Sequence, residues 1–172
     1  MAIITVTGAG RHSDTFYELK RLTEWMAVRI AGPRLAKALI IRVKYYDTMD
    51  VEDSHRRDGR FVASCQPLQM HPYPRKFEIQ LSSVLGSTPY LRARYIAHEM
   101  KHMEQFARGR LYDYVYGEHR RWKRKKYQLD VAERASSVVK YKQIPWEKEA
   151  DSVEIPLARE WIKHERRQSY EN

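Results

Sequence analysis

Cysteine is nearly absent from this sequence, since Cys65 is the only one in 172 residues. Intramolecular disulfides and cysteine-rich zinc clusters are therefore excluded. Long apolar runs are missing as well, because none approaches the roughly eighteen residues that span a bilayer. The opening segment MAIITVTGAGRH has no basic lead and too short an apolar stretch for a secretory signal. We therefore expect a protein of a reducing, cytoplasmic compartment, with no membrane segment.

Internal repeats and low-complexity tracts are also lacking. A chain of 172 residues with 42% hydrophobic content is long enough to bury a core of its own. We therefore expect a single domain that spans residues 1–172.

Basic residues outnumber acidic ones, 32 to 22, and give a formal net charge of +10. Much of the excess lies in HRRWKRKKY, residues 119–127. A basic run with interleaved aromatic residues suits a nucleic-acid backbone. The same run can also be a solvated hairpin, or can bind an acidic protein. No nucleic-acid-binding motif accompanies it, so the charge leaves these alternatives open.

Hydrophobic periodicity and capping residues predict an α+β order of elements. Ser13 as N-cap and apolar residues at helical spacing predict a first helix over Ser13–Ala31. Thr88 as N-cap and Pro89 in the first turn predict another helix that ends near Gly109. The predicted strands, rich in β-branched or alternating apolar residues, are Ala38–Tyr46, Arg60–Gln66 and Lys76–Ser82.

The last part of the chain favours a basic hairpin followed by a final helix. The hairpin would lie in the Tyr-rich, basic segment Leu111–Gln143. The final helix runs from Pro145 to about Lys163, and Pro156 should kink or break it. We expect an N-terminal helix, a small, mostly antiparallel sheet, an active-site helix, this hairpin and a C-terminal ligand helix.

The helix that begins at Thr88 carries the motif H-E-x-x-H. His98 and His102 are four residues apart, so both imidazoles can bind one zinc ion. Glu99 is rotated by about 100° from His98 and can act as a general base toward a water on the metal. A helical projection predicts that these three residues point inward. It predicts one solvent-facing stripe formed by Arg94, Ala97, Lys101, Glu104 and Arg108.

A catalytic zinc site usually has a third protein ligand, and the best candidate is Glu147 in IPWEKEADS. Asp151, four residues later, can accept a histidine N–H and fix its tautomer. Glu149 and His119 are alternative third ligands. The two histidines could instead be core residues bonded to backbone, and Glu147 could be a first-turn acid that favours the helix dipole.

HEMKHMEQFARGRL, WKRKKY and PWEKEAD, in this order, resemble the small zincin-type, gluzincin-like metallopeptidases of tailed bacteriophages. The resemblance extends from Thr88 to the last helix. It implies a minimal zincin-like fold with zinc as the metal. EKEAD is similar to the E-x-x-A-D ligand helix of glutamate-type zincins, which favours Glu147 over Glu149. One departure is Arg124, which stands where the phage pattern tends to have glycine.

The motif and the resemblance predict a zinc-dependent metallopeptidase that cleaves a peptide or protein substrate, located in the bacterial host's cytoplasm or in the virion. An extended substrate would pair with a sheet edge, for which Lys76–Ser82 is the expected strand. Candidates for stabilising the oxyanion are Tyr112, Tyr114, Tyr116, His119 and Tyr127. One alternative is a virion structural or assembly protein on a zincin scaffold, with virion proteins as partners and little or no catalysis. Another is a nucleic-acid-associated protease anchored by residues 119–127.

Overall fold

The computed structural model describes residues 1–8, 13–46, 56–57, 60–61, 63–84, 86–115, 119–128 and 143–171, which form an α+β fold as predicted. The strands are β1 (Ile3–Thr7), β2 (Ile40–Tyr46), β3 (Arg56–Arg57), β4 (Arg60–Phe61), β5 (Ala63–Pro67), β6 (Lys76–Ser82), β7 (Leu111–Val115), β8 (His119–Trp122) and β9 (Lys125–Gln128). The helices are α1 (Asp14–Ala31), α2 (Pro33–Ala36), α3 (Pro89–Ala107) and α4 (Pro145–Glu171). Across these ranges, no helix is both long and apolar enough to cross a membrane.

The main sheet has four strands in the order β1-β2-β6-β5. β1 is parallel to β2 and β2 is parallel to β6, whereas β5 is antiparallel to β6. The prediction of a mostly antiparallel sheet is therefore wrong for this sheet. The sequence prediction misses β1, a short strand whose pairing with β2 is not a local property. Helix α1 supplies the crossover that parallel neighbours β1 and β2 require.

The strand order also decides which strand is free to pair with a substrate. β6 lies between β2 and β5, so the prediction that Lys76–Ser82 forms an edge is wrong. Proximity to the motif helix in sequence does not place a strand at a sheet edge, because the order depends on long-range pairing. The edge next to β6 is β5.

Helix α1 follows its predicted pattern. The Ser13 hydroxyl accepts the backbone N–H of Phe16 at 3.2 Å, so Ser13 is the N-cap. Leu19, Leu22 and Met26 have no exposed surface. The helix packs against α3 and β1, and its apolar residues therefore contribute to the core that supports the motif helix.

Helix α3 begins as predicted, but the solvent-facing stripe predicted for it is wrong. The Thr88 hydroxyl caps it by accepting the Leu91 N–H at 3.2 Å. Ala97 and Glu104 of the predicted stripe are buried, and Arg108 is exposed. The burial arises because α3 contacts α1, α4 and the sheet, and so has neighbours on nearly every side. The buried Glu104 carboxylate is neutralised by basic side chains.

Helix α4 runs to Glu171 without a break at Pro156, so the predicted end near Lys163 is wrong. Proline at this position removes the N–H that would bond the Ser152 carbonyl. Both residues are exposed, so water can satisfy that carbonyl. The buried side chains of Trp146, Ala150, Ala158 and Trp161 hold the helix on both sides of the proline.

The predicted basic hairpin forms as part of an antiparallel three-stranded sheet, β7-β8-β9. Residues 129–142 of that predicted segment lie outside the described residues. The sheet packs against the start of α4, where the rings of Trp122 and Tyr127 lie 6.2 and 5.5 Å from that of Trp146. Trp146 immediately precedes Glu147, so the sheet supports the predicted ligand helix. Of the polar segment Asp47–Gly59, only Arg56–Arg57 is described, as the short strand β3.

Candidate metal centre

Two helices provide the predicted metal ligands, and polar contacts fix how these helices pair. Arg94 of α3 donates to Glu154 of α4 at 2.9 Å. About three turns further along α3, the Gln105 side chain donates to the Trp146 carbonyl of α4 at 3.0 Å. α3 and α4 thus pack antiparallel, and the motif histidines lie between these two contacts.

The structure brings His98, His102 and Glu147 together at one point. The two histidine Nε2 atoms are 3.1 Å apart, and each lies 3.3 Å from Glu147 Oε2. Donors at 2.0–2.1 Å from a tetrahedral zinc ion lie about 3.3 Å from one another. The triangle of donor atoms therefore has the dimensions that a tetrahedral ion requires. All three residues are buried, with at most 8% exposed surface.

The other ring nitrogens show which nitrogen carries each hydrogen. His102 Nδ1 lies 3.0 Å from Gln105 Oε1. The Gln105 amide nitrogen donates to Trp146 and Glu149, so its oxygen faces His102 as an acceptor. The hydrogen of a neutral His102 ring is therefore on Nδ1. Its Nε2 then presents a lone pair to Glu147.

His98 also has acceptors near its Nδ1, but without the hydrogen-bond geometry of the His102–Gln105 contact. Its Nδ1 lies 3.3 Å from Asp151 Oδ1 and 3.3 Å from Glu154 Oε2. Both neighbours are acceptors, so the hydrogen of a neutral His98 ring also belongs on Nδ1. Two imidazole lone pairs and a carboxylate oxygen thus converge within 3.3 Å. Such a set is mutually repulsive unless a cation lies among the three atoms.

The electrostatics of the cluster favour positive charge at the same point. Burial alone would lower the pKa of His98, but the carboxylates of Asp151, Glu147 and Glu154 raise it to about 12. Burial opposes protonation of His102 too, yet Glu147 raises the pKa of His102 above its ordinary value. Burial would raise the pKa of Glu147, but His102 and His98 hold it well below the usual range. The carboxylates therefore favour positive charge at this point, whether as protons on the rings or as a metal ion.

Glu99 directly follows the predicted ligand His98 on α3, and α3 contacts the edge strand β5. Its side chain is buried, and its charge adds to the rise in the pKa of His98 and His102. Burial raises the pKa of the Cys65 thiol on β5, and the Glu99 charge raises it further. The predicted general base is therefore near both the predicted metal ligands and the strand at the sheet edge.

The alternative third ligands have other places in the structure. Glu149 accepts hydrogen bonds from Arg110 at 2.7 Å and from Gln105 at 2.9 Å. It therefore contacts the Gln105 side chain that faces His102. His119 begins β8, and its side chain lies outside the described part of the chain. Among the oxyanion candidates, Tyr127 packs its ring edge-on against Trp146. Tyr116 and the Tyr114 side chain fall outside the described residues.

Sequence reasoning missed two residues that orient the histidines. Glu154 faces His98 together with Asp151, and Gln105 faces His102. The sequence does indicate both residues through their spacing along a helix. Glu154 is seven residues after Glu147 and therefore shares its helix face, while Gln105 is three residues after His102. Partners of this kind fix the tautomer and orientation of metal-binding histidines.

Comparisons with known proteins add no relative. A scan against protein-family models, a search of curated proteins and a search of solved structures each find no match to this chain. The resemblance to phage zincin-type peptidases therefore rests on the three motifs alone and stays a prediction. The functional conclusion depends on the geometry of His98, His102 and Glu147.

Proposed function

We propose that this protein is a zinc-dependent metallopeptidase in which His98, His102 and Glu147 hold the metal. The observation that carries the proposal is the convergence of the two imidazole Nε2 atoms and one carboxylate oxygen, with separations of 3.1–3.3 Å. Nδ1 of each ring faces an acceptor, which supports an arrangement in which both Nε2 atoms bind the same cation.

The donor set fits zinc better than the common alternatives. Nitrogen and oxygen donors in a tetrahedral arrangement suit zinc, whereas magnesium and calcium prefer more numerous oxygen ligands. Three protein ligands leave the fourth position to water or substrate, which is the pattern of catalytic rather than structural zinc sites. When bound there, zinc lowers the pKa of water to about 7 and polarises a carbonyl group.

Glu99 supplies the proton transfer that peptide hydrolysis needs. A buried carboxylate beside the metal ligands can take a proton from the attacking water and pass it to the leaving amine. Asp151, Glu154 and Gln105 are positioning residues, because they act on the histidine rings and not on the substrate. A site with only a structural metal has no need for such a base.

The substrate pairs with the free edge of β5. Among the described strands, β5 ends the main sheet, and it contacts α3, the helix that carries Glu99. Cys65 pairs in register with the buried Ile79, so this side of β5 faces α3. An extended peptide that adds a strand to β5 would therefore run past the general base, held by main-chain hydrogen bonds.

The proposal is tested by replacing Glu99 with its uncharged isostere. Glu99→Gln should retain about one zinc per chain and lose hydrolysis of a quenched fluorescent peptide library by 10²–10⁴-fold. Zinc content is measured by mass spectrometry of the metal after dialysis. Glu24→Gln on α1 removes the same charge away from the site and should retain both zinc and activity.

Two results contradict the proposal in different ways. Hydrolysis by Glu99→Gln at the wild-type rate removes the catalytic role of Glu99. If the wild type binds zinc and cleaves no peptide in the library, the virion structural or assembly role replaces the peptidase assignment.

A further inference from the structure

The Gln105 side chain supports metal binding by His102 in only one of its two amide orientations. Its amide nitrogen donates to the Trp146 carbonyl at 3.0 Å and to the Glu149 carboxylate at 2.9 Å. Both of these groups only accept hydrogen bonds, so the amide oxygen is left to face His102. A reversed amide would present N–H groups to Nδ1 and would favour a ring hydrogen on Nε2, the atom that binds the metal. The acceptors of Gln105 therefore matter for the ligand His102.

Glu149 is the less constrained of these two acceptors. The Trp146 carbonyl belongs to the backbone of α4, whereas the Glu149 side chain is 29% exposed and has room to turn toward solvent. Both of its carboxylate oxygens instead accept from Nη1 of Arg110, at 2.7 and 2.9 Å. Burial would raise the pKa of Glu149, but hydrogen bonds from Arg110 and Gln105 hold it below its ordinary value. Arg110 thus keeps Glu149 ionised and in place.

The end of α3 brings Arg110 next to Gln105. Gly109 has a φ of 66°, in the left-handed region that favours glycine. The backbone N–H of Gly109 donates to the Phe106 carbonyl, and that of Arg110 donates to the Gln105 carbonyl, both at 2.8 Å. This pair of bonds is the Schellman pattern, which turns the chain back over the last turn of a helix. The local sequence therefore fixes Arg110 beside the residue that faces His102.

The guanidinium of Arg110 has two further supports. It pairs with the buried carboxylate of Glu104, and it lies 5.6 Å from the centre of the Trp122 ring on β8. Glu104 does not depend on Arg110 alone, because Lys101 and Arg108 also pair with it. Arg110 is therefore a fixed donor, and Glu104 keeps other cationic partners when Arg110 is replaced.

We propose that Arg110 is a positioning residue that prepares His102 for metal binding. It holds Glu149, which holds an N–H of Gln105. The Gln105 oxygen then keeps the ring hydrogen of His102 on Nδ1 and leaves Nε2 for the metal. This inference deepens the proposed function and rests on it for the metal. The hydrogen bonds themselves form without metal and can be measured in the metal-free protein.

Exchange of the Gln105 side-chain amide hydrogens with water tests these bonds without metal. NMR of the ¹⁵N-labelled protein measures the exchange. Arg110→Gln should accelerate it about tenfold, because a hydrogen bond to a charged group weakens. Arg108→Gln is the matched control, since it also removes one positive charge that pairs with Glu104 but leaves the contact between Arg110 and Glu149. The control should exchange as the wild type does.

Zinc affinity, measured by competition with a chelator, tests the consequence for the metal. Loss of a group that bonds a metal-binding histidine costs about 10–100-fold in affinity. Because Arg110 acts through two other side chains, we expect a smaller loss of about 5–10-fold for Arg110→Gln. Electrostatics alone predicts the opposite sign, since removal of a positive charge favours a nearby cation. Arg108→Gln removes the same charge and should not weaken zinc binding.

Two further variants test the route from Arg110 to the histidine. Glu149→Ala removes the same contact at a partly exposed position and should give both effects, even if Arg110→Gln does not fold. Gln105→Met has a similar volume but cannot bond His102 or Glu149. In that background, Arg110→Gln should cause no further loss of zinc affinity. Urea denaturation confirms that each variant is folded under the conditions of measurement.

Three results overturn the inference. These are unchanged amide exchange in both Arg110→Gln and Glu149→Ala, equal weakening of zinc binding in Arg108→Gln, and the same loss with and without Gln105. Any of them, in a protein that binds zinc normally, refutes the role of Arg110 and leaves the proposed function intact. Absence of zinc binding by the wild type refutes both.

Discussion

Zinc binding should release protons, because the cluster holds protons when no metal is present. Asp151, Glu147 and Glu154 raise the pKa of His98 to about 12, so His98 carries an extra proton on Nε2 at pH 8. Zinc must displace that proton to bind the same atom. The pKa of His102 is raised as well, so His102 releases a further fraction of a proton when zinc binds. Water on the bound zinc, with a pKa of about 7, releases close to one further proton at pH 8. We therefore expect about two to three protons released per zinc at pH 8.

The release of protons makes the zinc affinity depend on pH, and linkage gives the size of this dependence. Each displaced proton makes the apparent zinc affinity rise tenfold per pH unit, or about 1.4 kcal/mol. One proton therefore gives about 100-fold between pH 7 and pH 9. Calorimetric titrations in two buffers with different ionisation enthalpies measure the number of protons directly. His71→Gln removes an exposed histidine outside the cluster and should leave that number unchanged.

The raised pKa of His98 also makes the stability of the metal-free protein depend on pH. A raised folded-state pKa stabilises the fold fully below the unfolded value of about 6.5, and this contribution is lost as pH rises toward 12. The free energy of unfolding without zinc should therefore fall between pH 7 and pH 9, by about 2–3 kcal/mol from His98. Release of only about one proton at pH 8, which the water on the zinc alone would supply, would show that His98 is neutral without metal and would refute this reasoning.

Two further predictions concern α4. Glu147→Gln should lower zinc content far more than Glu149→Gln, because only Glu147 reaches both histidines; equal zinc in the two dialysed variants would remove Glu147 as a ligand. Pro156→Ala should raise the free energy of unfolding by about 1–2 kcal/mol, since alanine restores a helical hydrogen bond but gives the unfolded chain more freedom. Urea denaturation measures the change, and a destabilised variant would show that Pro156 has a packing role.

Local patterns predicted a large part of the fold. The caps Ser13 and Thr88 mark the starts of α1 and α3, because a side-chain acceptor at a helix start is a local requirement. The alternating segment Lys76–Ser82 is β6 with the predicted bounds. The parallel pairing of β1, β2 and β6 was not predictable in this way, since it depends on segments that are distant in sequence.

In the candidate site too, local spacing was predictable from the sequence, whereas long-range packing was not. The spacing of His98 and His102, and of Glu147 and Asp151, predicts which side chains share a helix face. The structure brings His98, His102 and Glu147 to one point and places Asp151 at Nδ1 of His98. The burial of Ala97 and Glu104 could not be read from amphipathicity, because α3 has neighbours on nearly every side.

The central claim is that one metal ion is held by His98, His102 and Glu147. An anomalous difference map from a zinc-loaded crystal, recorded at the zinc edge, tests it most directly. The account predicts one peak per chain, about 2.0–2.2 Å from the two Nε2 atoms and from a Glu147 carboxylate oxygen. A peak between His98 Nδ1, Asp151 and Glu154, whose atoms are also close enough to hold an ion, would contradict it. Absence of any ordered zinc would contradict it as well.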